Sequence, residues 1–188
     1  MRSIKTGLIT LMISGIFSPI SLANSKTFNI NVQTPAEMRT WKALMELNPV
    51  QQVATWNSYK ASKIALKDLH WTWRLGWMQI CQTSNAEVCP AILAEGLKDN
   101  ALLVRNKAVR IIGERYENRG ESGVLIALAQ TYSNARNYRR GKPMGIQRDI
   151  LYAMKKIGGP QAKQLALKLV EKDKSLTQYA QKLYKTAM

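Results

Sequence analysis

Apolar residues recur along this chain at three- and four-residue spacings, the pattern of helices that bury one face. Met38, Trp41, Leu44 and Met45 mark the first such face. Ahead of it, Thr34-Pro35-Ala36-Glu37 supplies an N-cap hydroxyl, a proline at the first helical position and a glutamate at the third. That capping box predicts a helix over 35–47. Asn48-Pro49 then ends this helix and caps the next. Ser84-Asn85-Ala86-Glu87 reads as another capping box, and Gly158-Gly159-Pro160 as a helix stop followed by a new start. No later segment alternates with period two, so the expectation is helix after helix.

Comparing the chain with itself groups these helices. A shift of 31 residues places Leu66-Lys67-Asp68 on Leu97-Lys98-Asp99 without a gap, and in the same register Arg74 on Arg105, Trp73 on Val104, Trp77 on Ala108 and Ile80 on Ile111. Two weaker copies follow. Ile146, Ile150, Ala153, Met154 and Ile157-Gly158 repeat the second-helix spacing with Gln147 in the arginine position, and Leu176, Ala180, Leu183 and Tyr184 repeat it with Thr177 there. This order of Leu-Lys-Asp, a short turn, apolar-Arg and helically spaced apolar residues resembles the HEAT repeat, including its short bacterial variety.

The resemblance implies an all-α, short right-handed α-solenoid of helix pairs behind an N-terminal capping helix. The pairs fall near 50–82, 85–118, 121–158 and 160–187. Each unit of such an array stacks on its neighbours and contributes to a curved groove. It also implies that Asp68 with Arg74, and Asp99 with Arg105, form a polar ladder along the stack. Each aspartate stands before a helix whose N–H groups it can cap. In the later copies the ladder is expected to be incomplete.

The ends and the cysteines bear on location. Arg2 and Lys5 followed by an uncharged, largely apolar run over 7–20 and by Ser21-Leu22-Ala23 read as a secretory signal with cleavage after Ala23. The run is shorter than the roughly 20 residues of a spanning helix. Residues 24–188 then form one domain of 165 residues, periplasmic or secreted, without a membrane span. In an oxidising compartment Cys81 and Cys89 are expected to pair. Closing so short a loop stabilises the fold by roughly 2.5 kcal/mol. Two thiolates and His70 fall short of a four-ligand structural zinc site, so neither metal nor cofactor is expected.

Charge narrows the partners. The chain carries 28 basic and 12 acidic residues, and without Arg2 and Lys5 the balance is 26 against 12, or +14. Such a field favours polyanions, although surface lysine also serves solubility. Export argues against genomic DNA. It leaves an acidic protein or peptide as the expected partner, with an anionic envelope glycan, lipid or extracellular nucleic acid as the alternative.

Catalysis is not expected. The chain has one histidine, and the nucleophile-elbow, phosphate-loop and zinc-protease motifs are absent from it. Among the aromatic residues, Trp73 and Trp77 share a helix face and map onto core positions. Trp71 stands about 160° from Trp73 around a helix. Two placements are open for it: exposed beside Arg74, where it would stack a ligand, or packed on Trp41.

One segment exceeds the repeat. The second-helix pattern recurs after 42 residues between Val104 and Ile146 but after only 30 between Ile146 and Leu176. About a dozen residues are therefore inserted over 133–145, with Arg136, Arg139, Arg140 and Lys142 among them and Tyr132 and Tyr138 interleaved. No acidic residue occurs between positions 122 and 147. This insert reads as a loop, either merely solvated or, with Tyr138, part of a binding surface, as insertions on one face of a repeat array commonly are.

Overall fold

The computed structural model describes residues 46–185 apart from Ser62, Ile64 and Lys172. The expected signal segment, and nearly all of the helix expected over 35–47, lie outside the described residues. The described chain is mostly helical. In order it contains α1 (Pro49–Ala61), α2 (Trp71–Thr83), α3 (Cys89–Gly96), α4 (Leu102–Arg115), α5 (Ser122–Tyr132), strands β1 (Tyr138–Arg139) and β2 (Lys142–Pro143), α6 (Gly145–Ile157), α7 (Pro160–Glu171) and α8 (Lys174–Lys185).

Local chemistry sets several of these boundaries. Asn48 Oδ1 accepts from the Gln51 N–H at 3.0 Å, while Gln51 Oε1 accepts from the Asn48 N–H at 3.1 Å, so α1 starts with a reciprocal cap. Gly158 and Gly159 adopt φ of 76° and 83°, a left-handed conformation that L side chains resist, and Pro160 then opens α7. Ser84-Asn85-Ala86-Glu87 departs from expectation, because it opens no helix. Ser84 instead follows the end of α2, its Oγ accepts from the Ala86 N–H at 3.1 Å, and α3 starts only at Cys89 with Pro90 in its first turn. The hydroxyl thus stabilises a turn, its usual competing role.

The interior is built in two directions. Along the chain, α2 packs on α3, α5 on α6 and α7 on α8. Across the chain, α2 packs on α4, α4 on α6, α6 on α8, and α5 on α7. Each of these contacts joins helices at most two steps apart in order. Trp77, Met78, Val104, Ala108, Ile111, Leu125, Leu128, Ile146, Ile150, Met154 and Ile157 fill the space between the helices. Trp56 meets Trp77 edge to face, with ring centroids 5.3 Å apart. The Cys81–Cys89 disulfide, with Cα atoms 5.2 Å apart, joins the last turns of α2 to the start of α3, and both cysteines are buried.

The insert is no loop. Tyr138 pairs with Pro143 and Arg139 with Lys142 in an antiparallel hairpin, turned by Arg140 and Gly141 at φ of 51° and 73°. Two successive positive φ angles form the primed turn whose twist suits a two-residue hairpin. The described fold is accordingly all-α with one small β-ribbon set between α5 and α6.

Helices α4 and α6 approach closely at Gly113. A Cβ on Gly113 would stand 2.9 Å from Ala153 Cβ and 3.0 Å from its Cα, tighter than side chains tolerate. Substituting Gly113→Ala is therefore expected to lower the unfolding free energy by about 1 to 2 kcal/mol, overpacking outweighing the helix propensity gained. Urea unfolding measures it, and unchanged or increased stability would contradict this close approach.

Candidate functional site

Two arginines hold the turns between paired helices in register. Arg74, on the first turns of α2, is buried; its Nε donates to Asp99 Oδ2 at 2.6 Å and its Nη2 to Asp99 Oδ1 at 3.0 Å. Its Nη1 donates to the carbonyl of Leu69 in its own turn. Arg105, 2 % exposed, repeats the arrangement one unit later. Its Nη1 donates to the Asp99 and Asn100 carbonyls at 2.7 and 3.0 Å, its Nη2 to the Arg136 carbonyl at 3.1 Å and its Nε to Asn137 Oδ1 at 2.8 Å. Each guanidinium thus grips its own turn through carbonyls and the next turn through a side chain. Burial is the main influence lowering the Arg105 pKa from its ordinary value, with Asp99 opposing it and Arg136 adding to it.

Expected residues take unequal parts in this ladder. Arg74 pairs with Asp99 of the next turn rather than with Asp68, which accepts from the Ala65 N–H at 3.2 Å. Asp99 also caps the start of α4, its Oδ1 accepting from the Ala101 N–H at 2.7 Å. Buried on Asp99, Arg74 is unavailable to a ligand, which corrects the expectation of a binding surface formed by an exposed Trp71 beside Arg74. Trp71 itself is half-buried, its ring 5.8 Å from that of His70, and Trp41 lies outside the described residues.

Asn137 is the residue that sequence reasoning missed. It stands ten positions before Gln147, whereas the aspartates stand six before their arginines, so the hairpin breaks the register that reveals the others. Fully buried, Asn137 receives the Arg105 guanidinium and donates from Nδ2 to the Thr131 carbonyl at 2.7 Å. Its own carbonyl accepts from the Met144 N–H at 3.0 Å and from Gln147 Nε2 at 2.7 Å. Gln147, in the arginine position, thereby keeps the grip on its own turn.

The hairpin is pinned at its base by these bonds and carries Arg136, Arg139, Arg140 and Lys142, all exposed. Tyr138, on β1 of the hairpin, is half-buried. Tyr132, 2 % exposed, donates to Asp173 Oδ2 at 3.4 Å. Burial first, and the Asp173 carboxylate second, raise the Tyr132 and Tyr138 phenols above their ordinary range, while a hydrogen bond with Gln147 opposes the shift at Tyr138. Neither phenol adds negative charge at neutral pH. The hairpin's charge is therefore cationic throughout.

A concavity lies between α4 and α6. It encloses about 250 Å³ above Gly113 and Ala153 and is walled by Arg110, Glu114, Asp149, Tyr152 and Lys156. Its charges are mixed. Arg110 reaches Asp149 at 3.5 Å, and Lys156 reaches Glu117 at 3.8 Å. Among the described residues no group of three or more His, Cys, Asp and Glu side chains could hold a metal ion, and no helix is long and apolar enough to cross a membrane. No family model, curated protein or solved structure matches the chain.

Two measurements follow from this geometry. Asn137→Ala strips the buried Arg105 Nε of its partner and leaves the Thr131 carbonyl with only backbone N–H donors such as that of Asn134, so stability is expected to fall by about 1 to 3 kcal/mol in urea unfolding; a change within a few tenths would show that the third rung carries no weight. Tyr132 is the second test. Its pKa is raised in the folded state, so its stabilising contribution is complete below the unfolded value near 10 and is lost as pH rises above it. Unfolding free energies should decline as pH rises above about 10, and Tyr132→Phe should flatten that decline; an equally steep curve in the variant would refute the assignment.

Proposed function

We propose that this chain is an exported, non-catalytic scaffold of HEAT-like helix pairs that recognises an acidic protein or peptide through its basic hairpin, with the adjoining helix face completing the contact. One observation carries the reading: four exposed cations, free of neighbouring acid in the sequence, sit on a hairpin whose base is fixed by buried hydrogen bonds. A ligand meets such a surface without first ordering it, and that saves entropy on binding. The three guanidinium groups suit bidentate contact with carboxylates.

The other elements of the proposal rest on separate supports. For the HEAT-like class, they are the 31-residue internal repeat, the stacking of alternate helices and the arginine ladder between successive turns. For export, they are the signal-like start and the buried disulfide. The groove between α4 and α6 is the weaker candidate for an anionic partner, because its cations are offset by Glu114 and Asp149.

Replacing Arg136, Arg139, Arg140 and Lys142 by Ser tests the reading. All four side chains project into solvent and only the Arg136 carbonyl serves the ladder, so the helical signal and melting temperature should hold. Association with an acidic partner captured from an envelope extract should slow, and its salt dependence should flatten. Wild-type rate and affinity at low salt would show that the hairpin is passive. A salt slope as steep as that of a nucleic-acid binder would instead favour a polyanionic polymer as the partner.

A further inference from the structure

The hairpin is not alone on its edge of the molecule. A cation directly precedes the aspartate or asparagine in each of the three turns that the arginines join: Lys67 before Asp68, Lys98 before Asp99 and Arg136 before Asn137. The sequence has the same pairing in Lys172-Asp173, where the lysine lies outside the described residues. Lys67, Lys98 and Arg136 are all exposed, whereas Asp99 and Asn137 are buried. At Asp99 and Asn137 the turn backbone therefore sends one residue inward to the ladder and its predecessor outward, while in the first turn Lys67 and Asp68 both face outward.

The buried arginines also hold this outward row in place. Arg74 Nη1 reaches the Lys67 carbonyl at 3.5 Å, and Arg105 Nη2 reaches the Arg136 carbonyl at 3.1 Å. Between them, the turn that bears Lys98 is gripped through Asp99 by both arginines. Asp68 is the one exposed acid in these three turns, and it accepts from the Ala65 N–H. Arg139, Arg140 and Lys142 thicken the row at the third rung.

We propose that this edge docks an extended acidic peptide, whose carboxylates at about every third residue meet Lys67, Lys98 and Arg136 in turn. Packed helices lie about 8–10 Å apart, so successive rungs present a cation at about that interval. An extended chain of the polyproline II type advances about 3.1 Å per residue with three residues per turn, so every third side chain returns to the same face after about one rung. A nucleic-acid duplex strand presents a charge about every 3.4 Å, and the row would answer only one such charge in three. The spacing thus favours a peptide with separated acids. The proposal rests on the reading that the partner is an acidic peptide and adds where that peptide runs beyond the hairpin.

The test uses two fluorescent peptides of about twelve residues built from Glu, Gly and Ser, one with Glu at every third position and the other with the same number of Glu in one block. Binding to the full-length secreted protein is followed by anisotropy at low salt. Lys67→Ser with Lys98→Ser should weaken the spaced peptide roughly tenfold, as the loss of two exposed ion pairs implies, and the block peptide, held by the hairpin, less than about twofold. Lys67→Gln with Lys98→Gln retains the aliphatic stems and should behave alike, with melting temperatures unchanged in both. Wild-type affinity of either double variant for the spaced peptide overturns the proposal and leaves the hairpin reading intact. Failure of the wild type to bind either peptide, with dextran sulfate binding retained, overturns the acidic-peptide reading and this proposal with it.

Discussion

A guanidinium group cannot shed its proton inside a protein, and here two of them, on Arg74 and Arg105, are buried between stacked helices. Leaving either without acceptors would cost several kcal/mol. The fold meets that demand from the turns. Arg74 takes both carboxylate oxygens of Asp99, and Arg105 takes the carbonyls around Asp99 together with Asn137 and Arg136. The need to satisfy each cation thereby couples the three turns that carry Leu69, Asp99 and Asn137 in series. Charge falls along this line from a carboxylate at Asp99 to a neutral amide at Asn137. The Gln147 side chain, which stands in the next arginine position, is neutral too.

That coupling explains why an insertion at the third turn remains ordered. Loop length alone costs little entropy, and twelve extra residues between α5 and α6 could have been left to solvent. Instead Asn137 is drawn into the interior by Arg105 and Thr131, its carbonyl collects Met144 and Gln147, and the intervening residues close as a hairpin on Arg140-Gly141. Side chains pinned only by their backbone are left facing water, and these are the cations. Structural polarity inside and charge outside are two consequences of one turn conformation.

The helices were legible in the sequence wherever spacing and caps agreed. Apolar positions three and four apart identify the buried faces of α2, α4, α6 and α8, Asn48-Pro49 marks the start of α1, and Gly158-Gly159-Pro160 marks the break before α7. Two short-range readings failed for physical reasons. Ser84 turns the chain instead of capping a helix, since a serine hydroxyl stabilises both and the Cys81–Cys89 link holds the start of α3 further along. The hairpin escaped because its strands are two residues long, too short to show alternation. Asn137 escaped with it, because the extra residues shift it out of the six-residue register. The interior placement of Arg74 was half visible: its match to Arg105 marks it as repeated, but the partner that removes it from the surface lies 25 residues away.

The central claim is that an anionic partner is received on the ladder edge rather than in the groove between α4 and α6. Amide hydrogen exchange of the protein with and without a polyglutamate peptide addresses it most directly. The account predicts that the Met144 amide is already protected in the free protein and that added peptide slows exchange across residues 135–143 and the turn near residue 98. Peptide-induced protection confined to the segments that carry Arg110, Tyr152 and Lys156, with 135–143 exchanging freely throughout, would contradict it.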